Sequence, residues 1–126
     1  MKKIINTANA PAPIGPYNQA VLIKDTLYIS GQIPMDPSSG KLVESGIKDE
    51  TRQSMENLKA ILTEAGMGFE QVVKSSIFIK DMNQFSEINE VYASYFDADT
   101  APARETVEVA NLPKFVNVEI SMIAVK

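Results

Sequence analysis

The segment Val116–Val125 limits the fold more than any other part of this chain. Val116, Val118, Ile120, Met122 and Ala124 alternate with Asn117, Glu119, Ser121, Ile123 and Val125. Successive side chains of a strand point to opposite faces, so one face is wholly apolar and the other mixed. Such a strand belongs in a sheet with one face covered by a second layer. Glu119 falls mid-strand between Asn117 and Ser121. A carboxylate there is at an edge, paired, or placed to titrate.

The cover is legible upstream. Asp49–Ala65 is the clearest helix, with Thr51, Met55, Leu58, Leu62 and Ala65 on one stripe and Gly66 as its stop. Its other side, with Arg52, Glu56 and Lys59, reads as solvated. Phe85–Phe96 is a second helix, burying Phe85, Ile88, Tyr92, Tyr95 and Phe96. Asn89 lies outside that stripe and reads as a surface amide.

The remaining strands follow from β-rich runs bounded by breakers. Lys3–Ile5 starts a short one, and Gln19–Ile23 and Thr26–Ile33 form a tight hairpin about Lys24-Asp25. In the second hairpin strand Tyr28, Ser30 and Gln32 share one face, and Leu27, Ile29 and Ile33 the other. Gly31 interrupts that apolar face, which marks a bulge or a close approach to the backbone. Gln71–Lys80, apolar on both sides near its end, reads as a central strand covered on both faces. The predicted order is β-β-β-α-β-α-β-β. Two helices suffice for one face of a mixed sheet, which leaves Ile123 and Val125 on a face without cover. An uncovered, partly apolar face predicts self-association.

A chain of 126 residues predicts one domain. Twelve basic against sixteen acidic side chains give a net charge of -4, and no Lys or Arg run follows Lys2-Lys3. This argues against nucleic acid as the main partner. Cysteine and histidine are both absent. That excludes disulfides, the usual zinc and iron sites, and Ser–His or Cys–His nucleophiles. Acid–base work near neutral pH falls to Glu, Asp, Lys, Tyr or water. No apolar run is long enough for a membrane span or a signal peptide, so a cytoplasmic protein is expected.

Thr100–Val109 carries Arg104 at a loop–strand junction, between Pro102 and the alternation of Val107 and Val109. A guanidinium placed there suits a carboxylate, because its planar fork meets two oxygens at once. The plain alternative is a surface arginine at a strand start. Three prolines and Gly15 make the segment before Tyr17 an irregular loop, and the stiffness of the prolines lowers the entropy cost of holding its ring.

Seven pieces in order resemble one family: Ile14-Gly-Pro-Tyr17, Ser30-Gly-Gln-Ile-Pro34, Ile88-Asn-Glu-Val-Tyr92, Pro102-Ala-Arg104, Val107-Glu-Val-Ala110, Leu112-Pro-Lys114 and Val118-Glu-Ile120. They are similar to the Rid (YjgF-type) reactive intermediate deaminases, RidA branch, from about residue 3 to the C-terminus. The resemblance implies a single α+β domain over residues 1–126, with a chorismate-mutase-like mixed sheet and two helices on one face. It also implies a homotrimer with sites in the subunit clefts. The implied activity is that of a 2-iminobutanoate/2-iminopropanoate deaminase. It hydrolyses enamines and imines such as 2-aminoacrylate to 2-keto acids and ammonia, with no cofactor and no metal. By position Arg104 matches the carboxylate-binding arginine and Glu119 the residue handling water and proton. Tyr17, Ser30, Gly31, Asn89 and Thr106 match pocket positions.

The chain departs from that pattern at Thr106, where many members have cysteine, at Glu105 and Asn111, and in a shorter Asp97–Ala101 loop. If the Asn111–Phe115 loop joins adjacent antiparallel strands, one register puts Arg104 and Thr106 on a face with Ser121 and Glu119. A slip of one residue reverses this, and two subunits could equally supply the pair. The rival reading is a keto-acid sensor or partner-binding module without turnover.

Overall fold

A computed structural model describes residues 1–126, and its elements follow the predicted order. They are β1 (Lys2–Ile5), β2 (Ala20–Ile23), β3 (Thr26–Gln32), α1 (Ile47–Glu64), β4 (Val72–Ile79), α2 (Phe85–Ala93), β5 (Ala103–Glu108) and β6 (Val118–Val125). The six strands form one mixed sheet in the order β1-β2-β3-β6-β4-β5. β4 and β5 are parallel and every other pair is antiparallel. A parallel pair needs a long crossover, and α2 lies within the one between β4 and β5.

Local chemistry sets the ends of these elements. Lys24 takes a left-handed φ of 53° to close the β2–β3 hairpin, where Ile23 pairs with Thr26. Gly46, at φ 125°, precedes α1, which starts two residues earlier than predicted. Gly66, at φ 73°, follows the last turn. These are backbone shapes that glycine adopts without steric cost.

The core lies between the helices and one sheet face. Thr51, Met55, Leu58, Leu62 and Ala65 are buried as the stripe predicts, and Ile61 joins them. From the sheet come Leu27, Ile29, Ile77, Ile79, Val118, Ile120, Met122 and Ala124. α2 buries Ile88, Val91 and Tyr92. Tyr95 and Phe96 lie past its end in an aromatic group with Phe69 and Tyr92, ring centroids 4.8–5.4 Å apart.

Three expectations are corrected. Gln32 does not share a face with Tyr28. Ile29 pairs with Met122 and Gln32 with Ile120, so Ser30 and Gly31 together oppose Ser121. This bulge, at the glycine that marked it, turns Gln32 into the buried side, where it is 5% exposed. β4 is internal, but both helices lie on one face, and Ser76 and Phe78 on the other are only half-buried. Finally, β5 and β6 are not neighbours, because β4 runs between them.

The face away from the helices carries Ile4, Tyr28, Val107 and Val125 as exposed side chains, with Phe78 and Ile123 half-buried beside them. No helix is long and apolar enough to cross a membrane.

Candidate active site

The bulge creates the closest approach in the sheet. A Cβ built on Gly31 would lie 2.7 Å from Cδ and 2.9 Å from Cγ of Glu119, so only glycine lets that side chain lie along β3. Glu119 is half-buried there, and burial pushes its carboxyl above the usual glutamate range. The carboxyl opens into a cleft of about 420 Å³ lined by Ile14, Tyr17, Ser30, Gly31, Ile33, Pro113, Lys114 and Glu119.

Lys114 and Phe115 both have φ near 56°, two successive non-glycine residues in the left-handed region. Each costs about 1–2 kcal/mol relative to ordinary backbone. Strain of this kind persists where surrounding structure holds it, often at a site. Here it shapes the wall that presents Lys114. Sequence reasoning does not assign Lys114 a role, although it closes the Leu112-Pro-Lys114 motif.

Tyr17 is exposed toward the cleft, and its hydroxyl accepts a hydrogen bond from the Ile14 N–H at 3.3 Å. Its own proton is left for another acceptor. Ser30 lines the cleft too, but its hydroxyl donates to the Asn18 carbonyl at 2.7 Å.

Arg104 is organised elsewhere. Its Nη1 donates to Asn89 Oδ1 at 2.7 Å, and its Cζ lies 5.0 Å from the Tyr92 ring centroid and 5.7 Å from that of Phe85. Both rings belong to α2, at distances suited to cation–π attraction. Asn89 is therefore the guanidinium's anchor and not a plain surface amide. The neighbouring acid is used up: Glu105 pairs with Lys74 at 2.8 Å and takes the Ser76 hydroxyl, and these partners hold its carboxyl below the usual range. Arg104 has no carboxylate partner within the chain; the ion pairs are Lys48–Glu90 and Lys74–Glu105. The Thr106 hydroxyl, two residues on and on the same face, is enclosed and has no hydrogen-bond partner.

The sheet register fixes how the two groups relate. Arg104 pairs with Ser75, which pairs with Met122; Glu119 pairs with Phe78. Ser75 and Met122 face the helices, and Phe78 faces away. The face that Arg104 and Thr106 would share with Ser121 and Glu119 if β5 and β6 were neighbours in one register is therefore not formed within one chain. Tyr17, Ser30, Gly31 and Glu119 come together on one side, and Asn89, Arg104 and Thr106 on the other.

A larger, more open groove of about 480 Å³ lies beside α1, lined by Thr7, Asn9, Gln53, Glu56, Asn57 and Lys59 among others. Its Glu56 carboxylate is taken by the Tyr95 hydroxyl at 2.6 Å. The Glu119 cleft is the better candidate on chemistry. No group of three or more His, Cys, Asp or Glu is arranged to hold a metal ion.

The model of the family described as Endoribonuclease L-PSP matches residues 7–126. The chain belongs to that family, the YjgF/Rid proteins. A RutC family protein of Pyrococcus horikoshii is 53% identical over 126 residues, covering 100% of this chain and 99% of its own. A protein of Bos taurus named 2-iminobutanoate/2-iminopropanoate deaminase is 51% identical, covering 100% of this chain and 91% of its own. Among solved structures, TdcF of E. coli with bound serine superposes with a TM-score of 0.92 at 45% identity, covering 98% of each chain. The mixed sheet with two helices is thus a YjgF/Rid fold, and Rid proteins of similar sequence carry the name of an imine deaminase.

Proposed function

We propose that this Rid protein hydrolyses 2-imino and 2-enamino acids, 2-aminoacrylate among them, to 2-keto acids and ammonia. It works in the cytoplasm without a cofactor, as a homotrimer. The Arg104 side chain of one protomer completes the Glu119 cleft of its neighbour. The observation that carries this reading is the half-buried Glu119 carboxyl, set against the Gly31 backbone in an open cleft. The name of the bovine relative, and the serine bound to TdcF, support a small amino-acid-derived substrate.

The chemistry follows from the groups. An enamine first takes a proton at carbon 3 as its nitrogen lone pair forms the C=N bond, which gives the protonated imine. Arg104 holds its carboxylate through two parallel N–H···O bonds, while Asn89 and the two rings hold the guanidinium. Glu119, ionised, takes a proton from a water as that oxygen bonds to carbon 2 and the C=N electron pair moves to nitrogen. The carboxyl then returns the proton to nitrogen. The hydroxyl proton passes back to Glu119 as carbon 2 closes to a carbonyl and the C–N bond breaks, and ammonia leaves. A raised carboxyl value suits both steps, since a group that takes and returns a proton works best near ambient pH. Because such imines already hydrolyse in water, one clamp and one carboxylate suffice.

A second reading is a keto-acid-binding trimer without turnover, favoured by the preorganised Arg104 clamp. The family description would also suggest ribonuclease work. The net charge of -4 and the absence of histidine weigh against that here.

The test generates the imine in situ with an amino-acid oxidase and follows keto-acid release in competition with a trapping amine. Hydrolysis by the chain, lost in Arg104→Ala with an intact fold, is expected. No acceleration by the wild-type chain would overturn the proposal. Glu119→Gln separates the two readings: an enzyme so changed still binds 2-ketobutyrate but loses the turnover its wild type shows, whereas a sensor binds 2-ketobutyrate in both forms and turns over imine in neither.

A further inference from the structure

The loop that carries Ile14 and Tyr17 to the cleft is held only at its two ends. Residues 12–17 hydrogen-bond among themselves alone, through Tyr17 N–H to Gly15 O at 2.9 Å and Ile14 N–H to the Tyr17 hydroxyl. The front end is fixed by one buried side chain. Gln19, 2% exposed, donates through Nε2 to the carbonyls of Pro11 at 2.8 Å, Thr7 at 3.0 Å and Ala10 at 3.2 Å. Its Oε1 accepts from the Thr7 N–H at 2.7 Å. The back end is held by Ser30, whose hydroxyl donates to the Asn18 carbonyl and whose N–H donates to the Gln19 carbonyl at 2.9 Å, and by Asn6, whose Oδ1 accepts from the Gln19 N–H at 3.1 Å and whose Nδ2 donates to Asn18 Oδ1 at 3.2 Å. A primary amide has two protons and a carbonyl, and every one of them is spent on this loop. Glutamine lies on the wrong side of the hydrophobicity scale for so buried a place, and it is tolerated because its partners are all met.

We infer that Gln19, seconded by Ser30, is the positioning residue of the cleft. It sets Tyr17 against the substrate without touching it, and the Ser30 hydroxyl proton serves the loop and not the ligand. This rests on the proposed function of the cleft, in which Tyr17, exposed toward it, meets the substrate. The consequence is kinetic: a loop freed at one end lets the ring wander, and a misplacement near 1 Å costs about 100-fold in rate.

The experiment uses the full chain labelled with 3-fluorotyrosine, whose four sites are Tyr17, Tyr28, Tyr92 and Tyr95. Tyr17→Phe assigns the Tyr17 fluorine line. In Gln19→Met the Tyr17 line is expected to shift and broaden while the other three stay in place, with kcat/KM falling about 10- to 100-fold. Ser30→Ala removes a single hydrogen bond and is expected to fold, to disturb the same line to a lesser degree, and to be rescued by Ser30→Thr. Should Gln19→Met prove insoluble, the serine pair carries the test. An unmoved Tyr17 line in the variants, or all four lines changing together, overturns the inference. Because the fluorine lines need no turnover, a wild-type chain that hydrolyses no imine would sink the functional reading and leave this one decided.

Discussion

Arg104 and Glu119 stand on opposite faces of one sheet, with β4 between their strands. If both act on one substrate, they come from different protomers. Arg104→Ala and Glu119→Gln are then each inactive alone. Mixed, unfolded together and refolded, they regain about a quarter of wild-type activity, the chance that random assembly in a closed ring pairs an intact arginine with an intact glutamate. No recovery in the mixture, with both variants folded and oligomeric, would show that the pair does not work across subunits.

Gly31→Ala is expected to abolish turnover while leaving the fold in place. The new methyl would meet Glu119 at 2.7 Å, and the carboxyl is the movable partner. Its displacement costs orientation, so kcat falls more than 2-keto acid affinity does. Crystal structures of the variant, or a titration with pyruvate beside a rate assay, check this. Unchanged kcat would remove the contact from the mechanism.

The pH dependence has a definite sign. On the proposed mechanism Glu119 must be ionised to accept the water proton, and burial sets its folded value above the ordinary 4.5. Activity therefore rises with pH through an apparent value above 4.5, and this limb vanishes in Glu119→Gln. For stability the folded chain holds that proton more tightly than the unfolded chain does. Burial of Glu119 thus destabilises once pH exceeds the unfolded value, reaching its full extent above the folded one. Glu119→Gln should raise Tm progressively over that window relative to wild type. A Tm difference independent of pH would contradict the assignment.

Asn89→Ala should loosen the clamp without harming the core, since the amide is only partly buried. Loss of a hydrogen bond to a charged group is worth about 1.5–3 kcal/mol, so a rise in KM of roughly 10- to 100-fold is expected with little change in Tm. Arg104→Lys keeps charge but loses the planar fork and the Asn89 geometry, and should resemble Arg104→Ala more than wild type. Steady-state rates against imine concentration decide both. Equal KM values in wild type and Asn89→Ala would leave the guanidinium supported by the rings alone.

Much of this fold is written in local pattern. The α1 stripe, the last strand's apolar face and the bulge at Gly31 each follow from spacing within a single element. Strand order does not. Nothing in the alternation of Val107 or Val116 says that β4 slips between their strands, and that insertion decides the faces of Arg104 and Glu119. Alternation misplaces Gln32 for a related reason, because a single extra residue inverts every face beyond it. Asn89 and Gln19 escape local pattern because a polar side chain's worth depends on partners distant in sequence: Arg104 for the first, Thr7 and Pro11 for the second. Val91 escapes because α2 buries a wider band than the aromatic stripe suggests.

The guanidinium and its supports, Asn89, Tyr92 and Phe85, all come from α2 and β5, whereas the cleft is built from the β1–β2 loop, β3, β6 and the loops next to those two strands. On the proposed mechanism, the grip on the acid and the delivery of water are therefore encoded in non-overlapping stretches of one chain. A lineage can retune which acid it holds by drift in one stretch while the other stays chemically intact.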